Sequence, residues 1–311
     1  MVLRHRKKFG LFLVLTLVLV GSGFLVFHGH RIIPYFNKEH LLLVKKQAEW
    51  TNLRERLEKD VLAFKGTSGV VIKDLNSGWE MTHQPDKRFP AASVVKIPIM
   101  VACFQAIQEG KIQLDTQLQL TRAARVGGSG TLKNMALGSS FSLEDLMERM
   151  MNQSDNSATN ILIDALGIDY LNAYFKRIGL RHTNLSRKMM DFTLRRRGIE
   201  NYTTANDIAL VLEKLYQKEL LSVEFAQRSL ELMKKQKFND RIPALLPKNI
   251  PVAHKTGLER FICHDAGIVF TEKGDYLICV LTKQHVKGPS YPAKAFIAKI
   301  SLHAYRYMTA L

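Results

Sequence analysis

Ser93–Lys96 (SVVK) is the most informative stretch of this chain, because two further motifs follow it in a fixed order. These motifs are Ser154–Asn156 (SDN) and Lys255–Gly257 (KTG). Each has an ordinary interpretation when taken alone: a helix cap beside a solvated lysine, a turn, and the end of a strand. Together they predict a site for serine acyl transfer, with a nucleophile, a base, a proton relay and an anion-binding group.

The first motif predicts the nucleophile and its base. A serine hydroxyl is a weak nucleophile until a neighbouring group takes its proton. The apolar residues after Ser93 indicate a helix, on which Lys96 lies one turn further along the same face. A lysine that is buried near other cations has a lowered pKa and can accept a proton. We therefore predict Ser93 as the nucleophile and Lys96 as the base.

The second motif predicts the groups that complete proton transfer. We expect Ser154 and Lys255 to face Lys96 across a cleft. The Ser154 hydroxyl would relay a proton to the leaving nitrogen, and the Asn156 amide would hold Lys96 and the substrate amide. The predicted catalytic residues are therefore Ser93, Lys96, Ser154 and Lys255.

The third motif predicts substrate binding. Lys255 and Thr256 offer a positive charge and a hydroxyl to a substrate carboxylate. Gly257 allows the strand backbone to approach a ligand closely. The backbone N–H groups of Leu258 and Ser93 would form an oxyanion hole. Asn156, Thr256, Gly257 and Leu258 are therefore the predicted substrate-binding residues.

With these motifs the chain resembles the class A β-lactamase family over residues 53–311. The supporting context is Gly127–Leu132 (GGSGTL), Leu143–Leu146 (LEDL) and His264–Val269 (HDAGIV). The resemblance implies a serine hydrolase that opens β-lactams through an acyl-enzyme on Ser93. It also implies an α/β (α+β) fold of the β-lactamase/transpeptidase type, in which helices flank an antiparallel sheet and an all-helical subdomain is inserted.

The chain departs from this family in the Ω-loop, where the family usually has Arg-x-Glu-x-x-Leu-Asn. The matching stretch is Arg187–Thr193 (RKMMDFT), so that Met189 replaces the glutamate that activates the hydrolytic water. A thioether cannot take a proton from water. Asp191 is a possible replacement base, and Glu200 is a more distant one. We therefore expect slow deacylation.

Three other functions fit part of this pattern. Certain penicillin-binding D,D-peptidases resemble class A enzymes and lack the glutamate, so the substrate could be a peptidoglycan stem peptide ending in D-Ala-D-Ala. A membrane-tethered β-lactam-binding or sensor module would be acylated without turnover. An esterase of the Ser-x-x-Lys type usually has tyrosine where this chain has Ser154. Arg260 and His264 could contact a substrate carboxylate or be surface strand residues.

Strand-like segments lie at both ends of the chain and helical periodicity dominates the middle, from about residue 94 to 237. This order predicts an antiparallel sheet whose terminal strands meet, with a helical lobe inserted and a closing helix over Pro292–Tyr307. The predicted strands are Ser68–Lys73, Trp79–Thr82, Val252–Thr256, His264–Thr271 and Tyr276–Lys283. The predicted helices in the middle include Leu143–Met151, Asn156–Leu166, Tyr170–Ile178 and Thr204–Tyr216.

The N-terminal segment predicts export. Residues 1–8 are a basic, cytoplasmic tail, and residues 9–27 carry no charge over a length that can cross a membrane. A cleaved signal peptide is the alternative to an uncleaved anchor. Residues 28–52 are then a linker, and residues 53–311 are the hydrolase domain. We expect a single-pass protein of the bacterial cell membrane with an extracytoplasmic domain, or a secreted protein if the segment is cleaved.

The composition limits the partners. The net charge of +17 fits attraction to anionic lipids or wall polymers, and equally a solvated basic face. No nucleic-acid-binding module is recognisable. The 3 cysteines have no metal-ligand spacing and the 10 histidines are scattered, so we expect no metal and no cofactor. We expect a monomer that binds a β-lactam or a stem peptide.

Overall fold

A five-stranded antiparallel sheet organises the fold in this computed structural model, which describes residues 38–286 and 288–309. The strands are β1 Gly66–Asp74, β2 Glu80–His83, β3 Phe89–Pro90, β4 Gln117–Gln119, β5 Ser140–Ser142, β6 Tyr202–Thr203, β7 Val252–Glu259, β8 Ile262–Val269 and β9 Tyr276–Gln284. The order in the main sheet is β2-β1-β9-β8-β7. β1 pairs with β9 in antiparallel register, with Gly69 opposite Leu281. The prediction that the terminal strands pair in one sheet is therefore confirmed.

The helices lie before, between and after these strands. They are α1 Lys38–Ala63, α2 Lys96–Gln108, α3 Leu143–Asn152, α4 Asn156–Leu166, α5 Ile168–Arg177, α6 Phe192–Arg196, α7 Ala205–Tyr216, α8 Val223–Lys234 and α9 Tyr291–Thr309. Side chains that accept a backbone N–H cap several of them at the N-terminus. These caps are Ser142 on α3, Asp155 on α4, Asp191 on α6, Thr204 on α7 and Ser222 on α8.

The sheet separates two hydrophobic cores, because successive strand residues point to opposite faces. On β1, Val71 packs into the larger core with the middle helices, whereas Val70 and Ile72 pack into the smaller core. The smaller core also contains Leu53 and Leu57 of α1 and several residues of α9. β8 is buried along its whole length, as expected for a strand that helices cover on both faces. This is the predicted sheet flanked by helices with an inserted helical lobe.

The structure differs from the sequence predictions at two helix starts. Ser93 lies in a 3-10 turn, Ala92–Val95, and the α-helix itself begins at Lys96. Helix α1 begins at Lys38, within the stretch predicted as a linker. Residues 38–52 are rich in good helix formers, but most of their apolar residues form the consecutive run 41–44, so no helical stripe marks them in the sequence.

The chain divides into Met1–Val44 and Lys45–Leu311, and the sheet and both cores belong to the second unit. In the part of the chain described, no helix combines the length and the apolar character needed to cross a bilayer. The predicted basic tail, the apolar segment 9–27 and the first part of the linker lie outside the described residues.

Candidate active site

Lys96 is the centre of a buried hydrogen-bond cluster. Its Nζ lies 2.8 Å from the Ser154 carbonyl oxygen, 3.2 Å from Ser154 Oγ and 2.9 Å from Asn156 Oδ1. Lys96 has no exposed surface, and Ser154 has almost none. The first two motifs therefore meet through the Lys96 amine, which is the arrangement predicted for proton transfer between them.

Burial lowers the pKa of both motif lysines. Burial is the main reason that the pKa of Lys96 lies well below its usual range, and the positive charge of Lys255 lowers it further. Burial also lowers the pKa of Lys255 to about 7, although the nearby Asp265 carboxylate opposes this change. At neutral pH a neutral Lys96 has a lone pair that can accept a proton.

Ser93 faces a cavity of about 340 Å³ that Asn156 and Leu258 also line. β7 passes very close to this serine: a Cβ on Gly257 would lie 3.3 Å from the Ser93 backbone nitrogen and 3.2 Å from the Ala92 Cβ. A side chain at Gly257 would therefore be tightly crowded by the Ser93 turn, while the predicted close approach of this backbone to a ligand stays a prediction. Because Gly257 approaches so closely, the Ser93 turn and the end of β7 form one wall of the site.

Two residues within or directly before the sequence motifs have left-handed backbone conformations that are unusual for side-chain-bearing residues. Ala92, directly before Ser93, has φ +45°, and Ser154 has φ +56°. At Ser154 the carbonyl accepts from the Lys96 amine. Such conformations cost energy and persist where the surrounding structure fixes them. Here one residue directly precedes Ser93, and the other carries the carbonyl that accepts from Lys96.

Asp155, the middle residue of the second motif, fixes this motif in place through hydrogen bonds to its carboxylate. Its Oδ2 accepts from the backbone N–H groups of Thr131 at 2.7 Å and Leu132 at 2.9 Å, and its Oδ1 accepts from Ala158 at 2.9 Å. The carboxylate therefore caps α4 and fixes the loop that crosses the site. Gly130 has φ +100°, and a Cβ there would lie 2.1 Å from the Asp155 Cγ.

Met189 is held at the site by its backbone. The Asn160 side chain accepts from the Met189 N–H at 2.8 Å and donates to the Met189 carbonyl at 3.2 Å. Asn160 lies four residues after Asn156 on α4, and so on the same face of that helix. The Met189 side chain is almost fully buried and lines the cavity with Ser93.

A buried ion pair closes the neck of the Ω-loop. Arg187 donates to Glu200 Oε1 through Nε at 2.9 Å and through Nη2 at 2.5 Å. The Asn201 backbone N–H donates to the same oxygen at 2.8 Å. Glu200 also lines the cavity, but its carboxylate already accepts these hydrogen bonds within the loop. Sequence analysis considered Glu200 only as a distant base.

Asp191 has a structural partner in the loop. Its Oδ1 accepts from the Leu194 backbone N–H at 3.0 Å, which makes it the N-cap of α6. Among the described residues that line the Ser93 cavity, Met189, Met190 and Phe192 are present and Asp191 is not.

A second ion-pair group joins the Ω-loop to β7. Arg195 lies 3.2 Å from Glu200 Oε2 and 2.9 Å from Glu259 Oε2. Burial raises the pKa of Glu259, while the Arg195 guanidinium opposes this change. Sequence analysis did not single out either residue. Glu259 directly follows Leu258 on the strand that carries the third motif. This position in the sequence is the signal that could have identified Glu259 as a site residue.

His264 does not face the substrate cavity. It is fully buried, its Nε2 donates to the Pro90 carbonyl at 2.9 Å, and its Nδ1 accepts from the Thr282 N–H at 3.0 Å. Burial lowers its pKa to about 4. The proposed contact between His264 and a substrate carboxylate is therefore wrong. This histidine instead connects β8 to the segment before Ser93. Arg260, by contrast, is exposed and lines the cavity.

The third-motif side chains lie deeper than the cavity surface. Lys255 is fully buried and donates to the Thr256 carbonyl at 3.1 Å. Thr256 is also buried, whereas half of the Leu258 surface is exposed. In the described part of the chain, no three His, Cys, Asp or Glu side chains are grouped so that they could hold a metal ion.

Comparison with known proteins identifies the family. A family model described as the β-lactamase enzyme family matches residues 52–308. The chain belongs to this family. Its fold and motifs are those of a class A β-lactamase or penicillin-binding-protein-like serine hydrolase.

Several curated members of the β-lactamase family cover most of the chain. The extended-spectrum β-lactamase PER-1 of Pseudomonas aeruginosa is 25% identical over 271 residues, which are 82% of this chain and 87% of that protein. β-Lactamase CARB-3 of the same organism is 26% identical over 215 residues, which are 67% of this chain and 74% of that protein.

Solved structures match over a similar range. PBP-A is 31% identical with a TM-score of 0.78, covering 84% of this chain and 97% of that one. A mutant of PBP-A, solved as an acyl-enzyme complex with penicillin G, matches equally well. A β-lactamase from Sphaerobacter thermophilus is 30% identical with a TM-score of 0.76, covering 84% and 98%.

Proposed function

We propose that this chain is a serine β-lactam hydrolase that forms an acyl-enzyme on Ser93 and releases it slowly. The observation that carries the proposal is the buried Lys96 amine, which contacts Ser154 and Asn156 within the Ser93 site and has a lowered pKa. The related PER-1 and CARB-3 are named as β-lactamases, and a PBP-A mutant forms an acyl-enzyme with penicillin G.

Acylation follows from these positions. Lys96 takes the proton of Ser93 Oγ while that oxygen attacks the lactam carbonyl carbon. The new O–C bond forms, and the negative charge on the carbonyl oxygen is stabilised by the N–H groups of Ser93 and Leu258. The C–N bond then breaks, and the nitrogen receives a proton from Ser154, which is replaced by the proton on Lys96. Protonated Lys255 and the Thr256 hydroxyl bind the substrate carboxylate.

Deacylation needs a base that removes a proton from water as it attacks the ester. Met189 occupies the cavity wall beside Ser93 and cannot accept a proton. Glu200 is neutralised by Arg187, and the Asp191 carboxylate caps α6. We therefore propose that water attacks without a well-placed general base, a group that typically accelerates such a step by about 10²–10⁴-fold.

A D,D-peptidase is the second candidate, favoured by Met189. The same steps would cleave the terminal D-Ala-D-Ala bond of a peptidoglycan stem peptide, with D-alanine as the leaving amine. The likeness to PBP-A, at 31% identity, is compatible with this function. Release of D-alanine from a D-Ala-D-Ala peptide tests it, since a β-lactamase that cannot bind such a peptide would release none.

Labelling with a fluorescent penicillin tests the proposed nucleophile. The wild-type domain should keep the label through denaturing electrophoresis, and Ser93→Ala should show none. Ser140→Ala is the matched control, because Ser140 is an exposed serine at the start of β5. Retained label on Ser93→Ala, with a normal circular dichroism spectrum, would refute the assignment.

We further propose, from the sequence, that residues 9–27 carry the domain to the extracytoplasmic side of the membrane. Peptidoglycan and β-lactams are both encountered there. The segment is either an uncleaved anchor or a signal peptide, and the mass of the mature protein distinguishes the two.

A further inference from the structure

A second hollow adjoins the Ser93 cavity at the mouth of the site. It has a volume of about 460 Å³ and is lined by Phe192, Arg195, Arg196, Arg260 and Phe261. Phe192, Arg195 and Arg260 line both spaces. The two spaces therefore adjoin along these three side chains.

The charge of this hollow is not balanced. Arg195 is paired with Glu200 and Glu259. Arg196 donates to the Thr193 hydroxyl at 3.3 Å, and Arg260 lies over the Phe261 ring at 5.0 Å. Neither Arg196 nor Arg260 forms an ion pair with an acidic residue anywhere in residues 38–286 and 288–309. Two exposed guanidinium groups therefore face the same space without a carboxylate.

The direction of β7 decides which end of a substrate reaches this hollow. Residues rise by about 3.3 Å each along a strand, so Glu259, the last residue of β7, follows Thr256 by roughly 10 Å, and Arg260 begins the turn directly after it. A substrate that places its own carboxylate at Thr256 and its reacting carbonyl at Leu258 lies along this strand. Its remaining acyl group then points toward Arg260.

We propose that Arg196, Arg260 and the flanking rings of Phe192 and Phe261 form a cationic subsite for a carboxylate on the acyl side chain of the substrate. This inference rests on the proposed acylation of Ser93 and defines its substrate class. Guanidinium groups bind carboxylates through paired N–H donors, and the two phenyl rings would cover an aliphatic chain leading to that carboxylate. The carboxylate can come from a β-lactam side chain or from the side chain next to D-Ala-D-Ala in a stem peptide.

The β-lactam arm compares acylation by matched penicillins. 6-Aminopenicillanic acid is acylated with succinic or adipic acid, and each product is compared with the methyl ester of its side-chain carboxyl, which keeps only the ring carboxylate charged. The second-order rate constant for adduct formation is measured by intact-protein mass spectrometry. Because the guanidinium groups are exposed, we expect a preference of about fivefold for the free acid at low salt, decreasing as salt is added.

Substitutions test whether the arginines of the second hollow cause this preference for the free acid. Arg196→Ala/Arg260→Ala should bring the ratio of acid to ester close to one, whatever its effect on the rate of the ester alone. Arg260→Lys should retain part of the preference because it keeps the charge. Arg306→Ala, which removes an exposed arginine of α9, is the control and should retain the full ratio.

The peptide arm uses acetyl-L-Glu-D-Ala-D-Ala and its L-Gln counterpart, with D-alanine release as the readout. A preference for the glutamate peptide that the double variant loses identifies a stem-peptide source. A preference confined to the penicillins identifies a β-lactam source. The subsite would be overturned if the wild type showed equal rates for acid and ester and also for the glutamate and glutamine peptides. A preference that the double variant retains would overturn it as well. Absence of any adduct or D-alanine release, esters included, would instead overturn the proposed function and this inference with it.

Discussion

At the scale of single residues, we propose that the charge of Lys255 determines when a substrate carboxylate can bind. Burial lowers its pKa to about 7, so the ammonium form is lost as the pH rises through this value. Lys96 must be neutral to act as a base, and its pKa is lowered well below that of a free lysine. We therefore expect the rate constant for acylation by penicillin to decline above about pH 7. At low pH it should decline as Lys96 becomes protonated.

The variant Lys255→Arg tests whether loss of the Lys255 charge causes the decline of the acylation rate constant above about pH 7. Arginine keeps its charge at every pH at which proteins are studied, so the decline above about pH 7 should disappear even if the overall rate is lower. The measurement is the pH profile of the acylation rate constant for both proteins. An unchanged alkaline limb in Lys255→Arg would contradict the role given to this lysine.

Met189 gives the second prediction at this scale. In Met189→Glu the backbone is still held by Asn160, so the new carboxylate should project into the cavity and serve as a base. The lifetime of the penicillin adduct should then shorten by about 10²-fold or more. Met189→Gln is the control of equal size without a base, and its adduct should persist.

The same experiment tests Asp191. Because its carboxylate accepts the Leu194 N–H, Asp191→Asn should leave the adduct lifetime unchanged. A longer lifetime in Asp191→Asn would show that this aspartate, and not water alone, drives release.

At the residue scale, the sequence predicted contacts between the motifs, while the catalytic roles given to these residues stay predictions. The contacts of Lys96 with Ser154 and Asn156 follow from side-chain types that can do little else in a buried site. The orientation of His264 could not be predicted, because alternation along a strand does not say which face is covered. The role of Arg195 depends in part on Glu259, a partner that is distant in sequence.

At the scale of elements, the Ω-loop depends on its buried ion pair. Removing one partner of a buried pair leaves an uncompensated charge and costs about 3–5 kcal/mol. Glu200→Gln keeps some hydrogen bonding to Arg187, so we expect the free energy of unfolding to fall by about 2–4 kcal/mol, measured by urea denaturation.

A surface pair provides the control for this value. Glu58 faces Arg54 at 3.5 Å on α1, and both side chains are mostly exposed. Glu58→Gln should change stability by no more than about 0.5 kcal/mol. Equal effects of the two substitutions would mean that the Arg187–Glu200 pair does not stabilise the loop.

Element boundaries were predictable where apolar periodicity was strong. Helix α4 has the predicted bounds Asn156–Leu166, because its cap and its apolar face are both visible in the sequence. The first half of α1 has no apolar stripe and was assigned to a linker. Ser93 was expected to open an α-helix, but the left-handed Ala92 before it and the 3-10 turn depend on tertiary contacts with β7.

At the scale of the whole molecule, the fold class followed from the order of elements. Strands at both ends with helices between them can bury their apolar faces in one sheet only if the ends meet, as β1 and β9 do. To predict which residues belong to which of the two cores, the register of each strand must be known. The sequence specifies this register only through the alternation of buried residues.

The proposed membrane anchor gives a prediction for the intact chain. Full-length protein expressed in bacteria should remain in the membrane pellet after an alkaline carbonate wash, and a chain beginning at residue 38 should be released. Intact mass of the mature protein distinguishes an anchor from a cleaved signal. Release of an uncleaved full-length chain by carbonate would contradict anchoring.

The central claim is that Ser93 is acylated readily and released slowly. Its most direct test is a time course of intact-protein mass spectrometry after the domain is mixed with penicillin. Opening of the lactam ring loses no atoms, so the account predicts a mass increase of one whole penicillin on Ser93 that persists for hours. Rapid consumption of the drug with an adduct that disappears would contradict slow release. The absence of any adduct, with the drug intact, would contradict acylation itself.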